Sequence, residues 1–209
     1  NKTKRLKHLQ KFARRKDAPT ETIFINGKER HFHKFDVPIG LPKYRIENGR
    51  TEPYQQEYAA KHGHPEDFFK DFEDNEIQKA QHEVLKQFIS ASEKATIDLE
   101  EYFSDDVQKR PLYLTDQGVV LDGNRRLTIW RELLEKDPKK HKHLQNISVV
   151  FLDTLDESQL DEVEEDLQLQ PDIKAKYTWI ATAFRWRKKR ANGLDDKRIA
   201  ANIKGTSEK

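Results

Sequence analysis

Two adjacent arginines, Arg125 and Arg126, follow Asp122-Gly123-Asn124 where a strand pattern gives way to a helix pattern. Cations in the first turn of a helix work against its dipole, which favours negative charge at that end. Free backbone N–H groups at a helix start, joined by two guanidinium forks, make a cradle for a phosphate or a carboxylate. The plainer reading is that both arginines pair with surface carboxylates, and the local pattern leaves the two readings open. Three His-x-His pairs also occur, His31/His33, His62/His64 and His141/His143. None has a third ligand at fixed spacing, so exposed or capping histidines are expected rather than a metal centre. Cys is absent, so thiol catalysis and disulfides are excluded, and no Ser/His/Asp arrangement is legible.

The elements that must position Arg125 and Arg126 lie in residues 111–134, PLYLTDQGVVLDGNRRLTIWRELL. Leu112, Tyr113 and Leu114 form a short strand, and Asp116-Gln117-Gly118 supplies turn chemistry. Val119, Val120 and Leu121 form a second strand. Leu127, Trp130 and Leu134 then recur at helical spacing, with Asp122 or Asn124 as the expected N-cap and Gly123 turning the corner. This places Arg126 at an exposed helix start. A further strand, residues 147–152, is a near-continuous apolar run and is expected to be buried on both faces. Strand, helix, strand across 117–152 predicts a βαβ-like unit.

Upstream, Thr22–Ile25 and Arg30–His33 flank Asn26-Gly27, a type I′ hairpin signal. Residues 38–54 read as a loop punctuated by Pro and Gly and bearing Arg45 and Arg50. Phe68, Phe69 and Phe72 sit among acids and are expected to pack into the core. Ile77, Ala80, Val84 and Phe88 mark an amphipathic helix, and residues 95–103 a shorter one. Residues 1–16 hold eight Lys and Arg and no acid, a basic helix or solvated arm. Residues 156–170 are acidic, with Leu160, Val163 and Leu167 as the buried stripe. Residues 173–190 are basic, with a core stripe of Tyr177, Ile180, Ala181 and Phe184, and end in Arg185-Trp186-Arg187-Lys188-Lys189-Arg190. Basic residues mixed with Trp suit a nucleic-acid backbone. Residues 1–16 and 185–190 are expected to add salt-sensitive, sequence-independent DNA affinity.

The text DLEEYFSDDVQKRPLYLTDQGVVLDGNRRL resembles the helix, loop, strand, turn, strand and arginine box of the ParB/sulfiredoxin-fold family. The likeness is close over about 35 residues around that box and looser over roughly residues 30–206. It implies an α/β (α+β) fold, a small mixed sheet followed by a C-terminal helical region. The implied organisation is a basic N-terminal helix or arm over 1–20, a core over 21–155 and a helical region over 156–209. The resemblance implies a ParB-like protein that binds a nucleoside triphosphate with Mg²⁺ and acts with DNA as an NTPase switch. Asp122, Gly123, Asn124, Arg125 and Arg126 would surround the phosphates, and Arg45 would approach them from its loop. Glu165 and Asp166 would hold the metal or orient water, beside Gln168, although Leu169 stands where the family has an arginine. Arg185, Arg187, Lys188, Lys189 and Arg190 would meet DNA. GLDDKRIAANIKGTS is similar to the first helix and turn of a helix-turn-helix, so a homodimer or a further domain past residue 209 is expected. The alternatives on the same scaffold are a DNA nuclease using Asp122 with Glu165, and a non-catalytic adaptor. Sulfiredoxin chemistry needs a cysteine beside the loop glycine, where Asn124 stands.

The 209 residues are 34% apolar and 36% charged, with net charge +2. That bounds the chain to a core of moderate size without a global basic field. No run of 18 apolar residues occurs, so no membrane span is expected, and a cytoplasmic location follows from the missing cysteines.

Overall fold

The computed structural model describes residues 2–13, 19–92, 108 and 110–169. The chain divides after Leu169 into two units, and the described residues all belong to the first. The expected helices over 95–103 and 173–190, the helix-turn-helix text, and Arg185, Arg187, Lys188, Lys189 and Arg190 lie outside them.

The fold is α/β, built on one five-stranded mixed sheet. Helix α1 is Lys2–Ala13. Strands β1, Thr20–Ile25, and β2, Lys28–Pro38, form the antiparallel hairpin, in register from Thr20 opposite His33 to Ile25 opposite Lys28. Asn26 (φ 52°) and Gly27 (φ 71°) both take positive φ, as a type I′ turn requires. Helices α2, Glu52–His62, and α3, Asn75–Ser92, follow. Strands β3, Leu112–Thr115, and β4, Val120–Asp122, lead into α4, Asn124–Lys136. Strand β5, Asn146–Leu152, and helix α5, Glu157–Leu169, complete the described chain.

The strand order is β1-β2-β5-β3-β4, with only the β3–β5 pair parallel. This corrects the βαβ expectation. Strands β4 and β5 flank β3 on opposite sides and run antiparallel to each other. The parallel crossover joins β3 to β5, with β4 and α4 both inside it.

Alternation along the strands divides the core between two faces. Leu112, Leu114, Ile147, Val149 and Phe151 turn toward Leu9 of α1, Leu85 of α3 and Leu127 and Trp130 of α4. Tyr113, Val150 and Leu152 turn the other way, toward Val163 of α5. Each fully buried leucine on the first face contributes roughly 2 kcal/mol by transfer from water. The near-continuous apolar run of β5 is thus explained by helices on both sides. Helix α5, assigned from sequence to the helical region after the core, lies against the sheet.

Three further expectations change. Of the two readings of residues 1–16, the basic helix holds and the solvated arm does not. Leu9 is fully buried, and Arg5, 8% exposed, pairs with Glu73 through both guanidinium nitrogens. Arg5 also donates to the carbonyl of Gln117 in the β3–β4 turn (2.9 and 3.2 Å). Lys2, Lys4, Lys7 and Lys11 stay exposed. Phe68 and Phe69 stop at half burial, in an aromatic layer with Tyr58, His62 and His64, because the turn carrying them is stacked on the end of α2 rather than on the sheet. His141, expected at the surface, is buried (4% exposed) beneath the turn that follows α4, and burial pushes its pKa down.

Candidate functional site

Helix α4 starts without a side-chain cap. Its N-cap is Gly123 at φ 105°, and its first turn contains no acid. Asp122 does not cap, contrary to expectation, because its carboxylate accepts from Arg126 Nη2 at 2.6 Å. Gly123 is obligatory on two counts. Its φ is left-handed, and an added Cβ would collide with Leu112 Cδ2 and meet Arg126 Nη2 at 3.0 Å. The corner therefore lets the Arg126 side chain fold back over the strand end.

That fold-back separates the two arginines. Arg126 is buried (6% exposed), which overturns the exposed position expected for it. Besides Asp122, its guanidinium donates to the carbonyls of Arg110 (3.0 Å) and Pro111 (3.2 Å). It ties the entry of β3 to the exit of β4. Arg125 is exposed, with its guanidinium 5.9 Å from the centre of the Phe88 ring.

Asn124 connects the helix start to a distant segment. Its Oδ1 accepts the backbone N–H of Arg45 (3.2 Å), and its Nδ2 donates to the carbonyl of Val120 (3.2 Å). Arg45 is thereby held at the first turn of α4, although 79 residues separate the two in sequence. Its guanidinium pairs with Glu164 of α5. The Arg45 segment, the start of α4 and α5 therefore meet around the C-terminal end of β4.

The predicted acids sit differently. Glu165 and Asp166 are exposed on α5, and the acid facing Arg45 is Glu164. Sequence reasoning passed over Glu164 because a run of acids gives no sign of which one a distant arginine will meet. Consecutive helical residues point about 100° apart, so Glu165 and Asp166 do not converge on one ion. Among the described residues no three His, Cys, Asp or Glu come together as metal ligands. Gln168 belongs to the last turn of α5, and its side chain lies outside the described residues.

Tyr113, on the α5 side of β3, is the neighbouring phenol. Burial pushes its pKa up to about 12, with the carboxylates of Glu21 and Asp122 adding to the shift.

No family model, curated protein or solved structure matches the chain. Among the described residues no helix is long and apolar enough to cross a membrane.

Proposed function

We propose that this protein is a ParB-like nucleotide-binding domain whose ligand phosphates sit at the start of α4 and that acts with DNA. The observation that carries the reading is the junction of Arg45 with Asn124. It brings the backbone of Arg45, from a loop remote in sequence, to an uncapped helix start that already bears Arg125, with the Arg45 guanidinium paired to α5. Backbone N–H groups at such a start, with the positive end of the helix dipole, bind phosphate oxygens. In this reading Arg125 and Arg45 supply the charge. Arg126 shapes the cradle by locking Asp122 and the strand ends, and Glu164 holds Arg45 until phosphate takes its place. Mg²⁺ would arrive with the triphosphate, since it binds through one or two carboxylates plus substrate oxygens.

One observation favours a second reading, a non-catalytic adaptor. Arg45 and Arg126 both have carboxylate partners, and in an adaptor those pairs would be permanent.

Calorimetric titration of the four ribonucleoside triphosphates, with Mg²⁺ and with chelator, separates the two. The nucleotide reading expects binding that Arg125→Ala and Arg45→Ala each weaken by about tenfold or more, the scale of one charge-assisted phosphate contact. Absence of binding by any triphosphate under both conditions would leave the adaptor.

A further inference from the structure

The segment that carries Arg45 has no regular secondary structure between Tyr44 and Asn48, yet almost every backbone polar group from Lys43 to Ile46 is bonded. Lys43 pairs with the edge of the sheet, its N–H donating to Gly118 (2.9 Å) and its carbonyl accepting from Val120 (2.9 Å). Beyond Lys43 the partners are side chains. Gln78 of α3 accepts the N–H of Tyr44 (2.7 Å) and donates to its carbonyl (3.0 Å). Asn124 accepts the N–H of Arg45 (3.2 Å), and Gln81 donates to the carbonyl of Arg45 (3.3 Å). Gln55 of α2 donates to the carbonyl of Ile46 (2.9 Å) and to Oε1 of Gln81 (2.7 Å).

These glutamines are buried: Gln55 and Gln78 are 8% exposed and Gln81 is fully covered. Burying an amide is costly unless it is hydrogen-bonded, and a fully satisfied buried network fixes one arrangement of what it touches. Tyr44 anchors the same segment by its side chain. It is 1% exposed, its hydroxyl lies 2.7 Å from Nδ1 of His82, and Nε2 of His82 donates to Glu132 (2.6 Å). Arg131 covers the Tyr44 ring at 4.6 Å and donates to the carbonyls of Ile39 (2.9 Å) and Pro42 (2.8 Å). Two helices thus act as the missing neighbouring strand, using amide side chains in place of a backbone ladder. Within this fixed segment the side chain of Arg45 emerges half-buried toward α5.

We infer that Gln55, Gln78 and Gln81 are positioning residues for Arg45: the amide ladder sets where its guanidinium meets the ligand at the start of α4. The inference rests on the nucleotide reading for its ligand, but the ladder has its own readout. Amide hydrogen exchange on the ligand-free, full-length protein reports the ladder, and triphosphate titration reports its consequence. Gln78→Leu and Gln81→Leu preserve bulk while removing the bonds. Ile25→Ala, a core truncation at the far end of the β1–β2 hairpin, controls for general loss of stability.

The expected result is faster exchange at Tyr44 and Arg45 in both glutamine variants, beyond that in Ile25→Ala. Triphosphate affinity should fall roughly tenfold to a hundredfold, the scale on which supporting-shell changes act at ordered sites. In an Arg45→Ala background Gln81→Leu should cost no further affinity. Exchange no faster than in the control overturns the ladder. Faster exchange with unchanged affinity overturns its role in positioning Arg45. A parent protein that binds no triphosphate removes the nucleotide reading, while the exchange result still decides whether the ladder holds the segment. Should either variant fail to fold, Gln55→Leu tests the same network from α2, through the carbonyl of Ile46.

Discussion

At the residue scale, Arg125 and Arg126 look interchangeable in the sequence and are opposites in the structure. One residue of helix rotation sends Arg125 outward and folds Arg126 back onto three acceptors. No spacing rule marks that difference, because it depends on a glycine corner that leaves room for a guanidinium under the strand end. Arg126→Ala would remove one donor each from Asp122 and from the carbonyls of Arg110 and Pro111. It is expected to lower unfolding free energy by about 2–3 kcal/mol, less than for a wholly buried pair because Asp122 is part-exposed. Arg125→Ala should change stability by less than about 0.5 kcal/mol. Urea unfolding of the two variants checks both values, and equal losses would contradict the division of labour. Gly123→Ala should cost about 1–3 kcal/mol, since it strains a left-handed position as well as crowding Leu112. Tyr113 offers a test by pH. Its folded pKa, about 12, lies above its unfolded value of about 10. The stability from its neutral form is therefore present below the unfolded value and lost as pH rises through the folded one.

At the element scale, legibility followed the apolar pattern. The hairpin, β3, β4, α3, α4 and β5 were all readable, because their periodicities are regular and their turns use Asn-Gly, Asp-Gln-Gly and Asp-Gly-Asn. Helix α2 was not readable as a helix. Its text EPYQQEYAAKH has no apolar stripe, and it buries Gln55 and Ala59. The glutamine ladder was hidden for the same reason, since Gln55, Gln78 and Gln81 look like solvated helix positions until another segment is placed beside them.

The N-terminal helix shows the limit of reading charge. Its composition left a basic helix and a solvated arm both open, and the helix is anchored by Arg5 through Glu73. The hydrogen bonds from Arg5 hold the Glu73 carboxyl below its ordinary value of 4.5. Because that folded pKa is depressed, the contribution of Glu73 is present above the unfolded value and lost as pH falls through the folded one. Acid unfolding should therefore lose part of its pH dependence below about pH 4.5 in Glu73→Gln. An unchanged acid transition would show that Arg5 does not depend on that partner.

At the scale of the whole molecule, two helices on opposite faces of the sheet in the described unit expose opposite charge. Helix α1, on one face of the sheet, exposes lysines, whereas α5, on the other, exposes Glu165 and Asp166. A duplex would be repelled by α5, so the proposed DNA contact would fall, within the first unit, on α1. Replacing Lys4, Lys7 and Lys11 together with Gln should weaken duplex binding uniformly across sequences. It should also make the salt slope shallower by about one for each phosphate that a lysine had neutralised. Affinity independent of salt in the parent would contradict that assignment.

The central claim is that phosphate binds where Arg45 is joined to the first turn of α4. Its most direct measurement is the amide spectrum of the ¹⁵N-labelled protein during titration with a nucleoside triphosphate. Phosphate bound at the start of α4 would move the amide resonances of Asn124, Arg125 and Arg45 most. The Arg45 Nε–H signal would shift as the guanidinium exchanges Glu164 for phosphate. Saturable shifts confined to other elements, with those of Asn124, Arg125 and Arg45 unmoved, would contradict the claim.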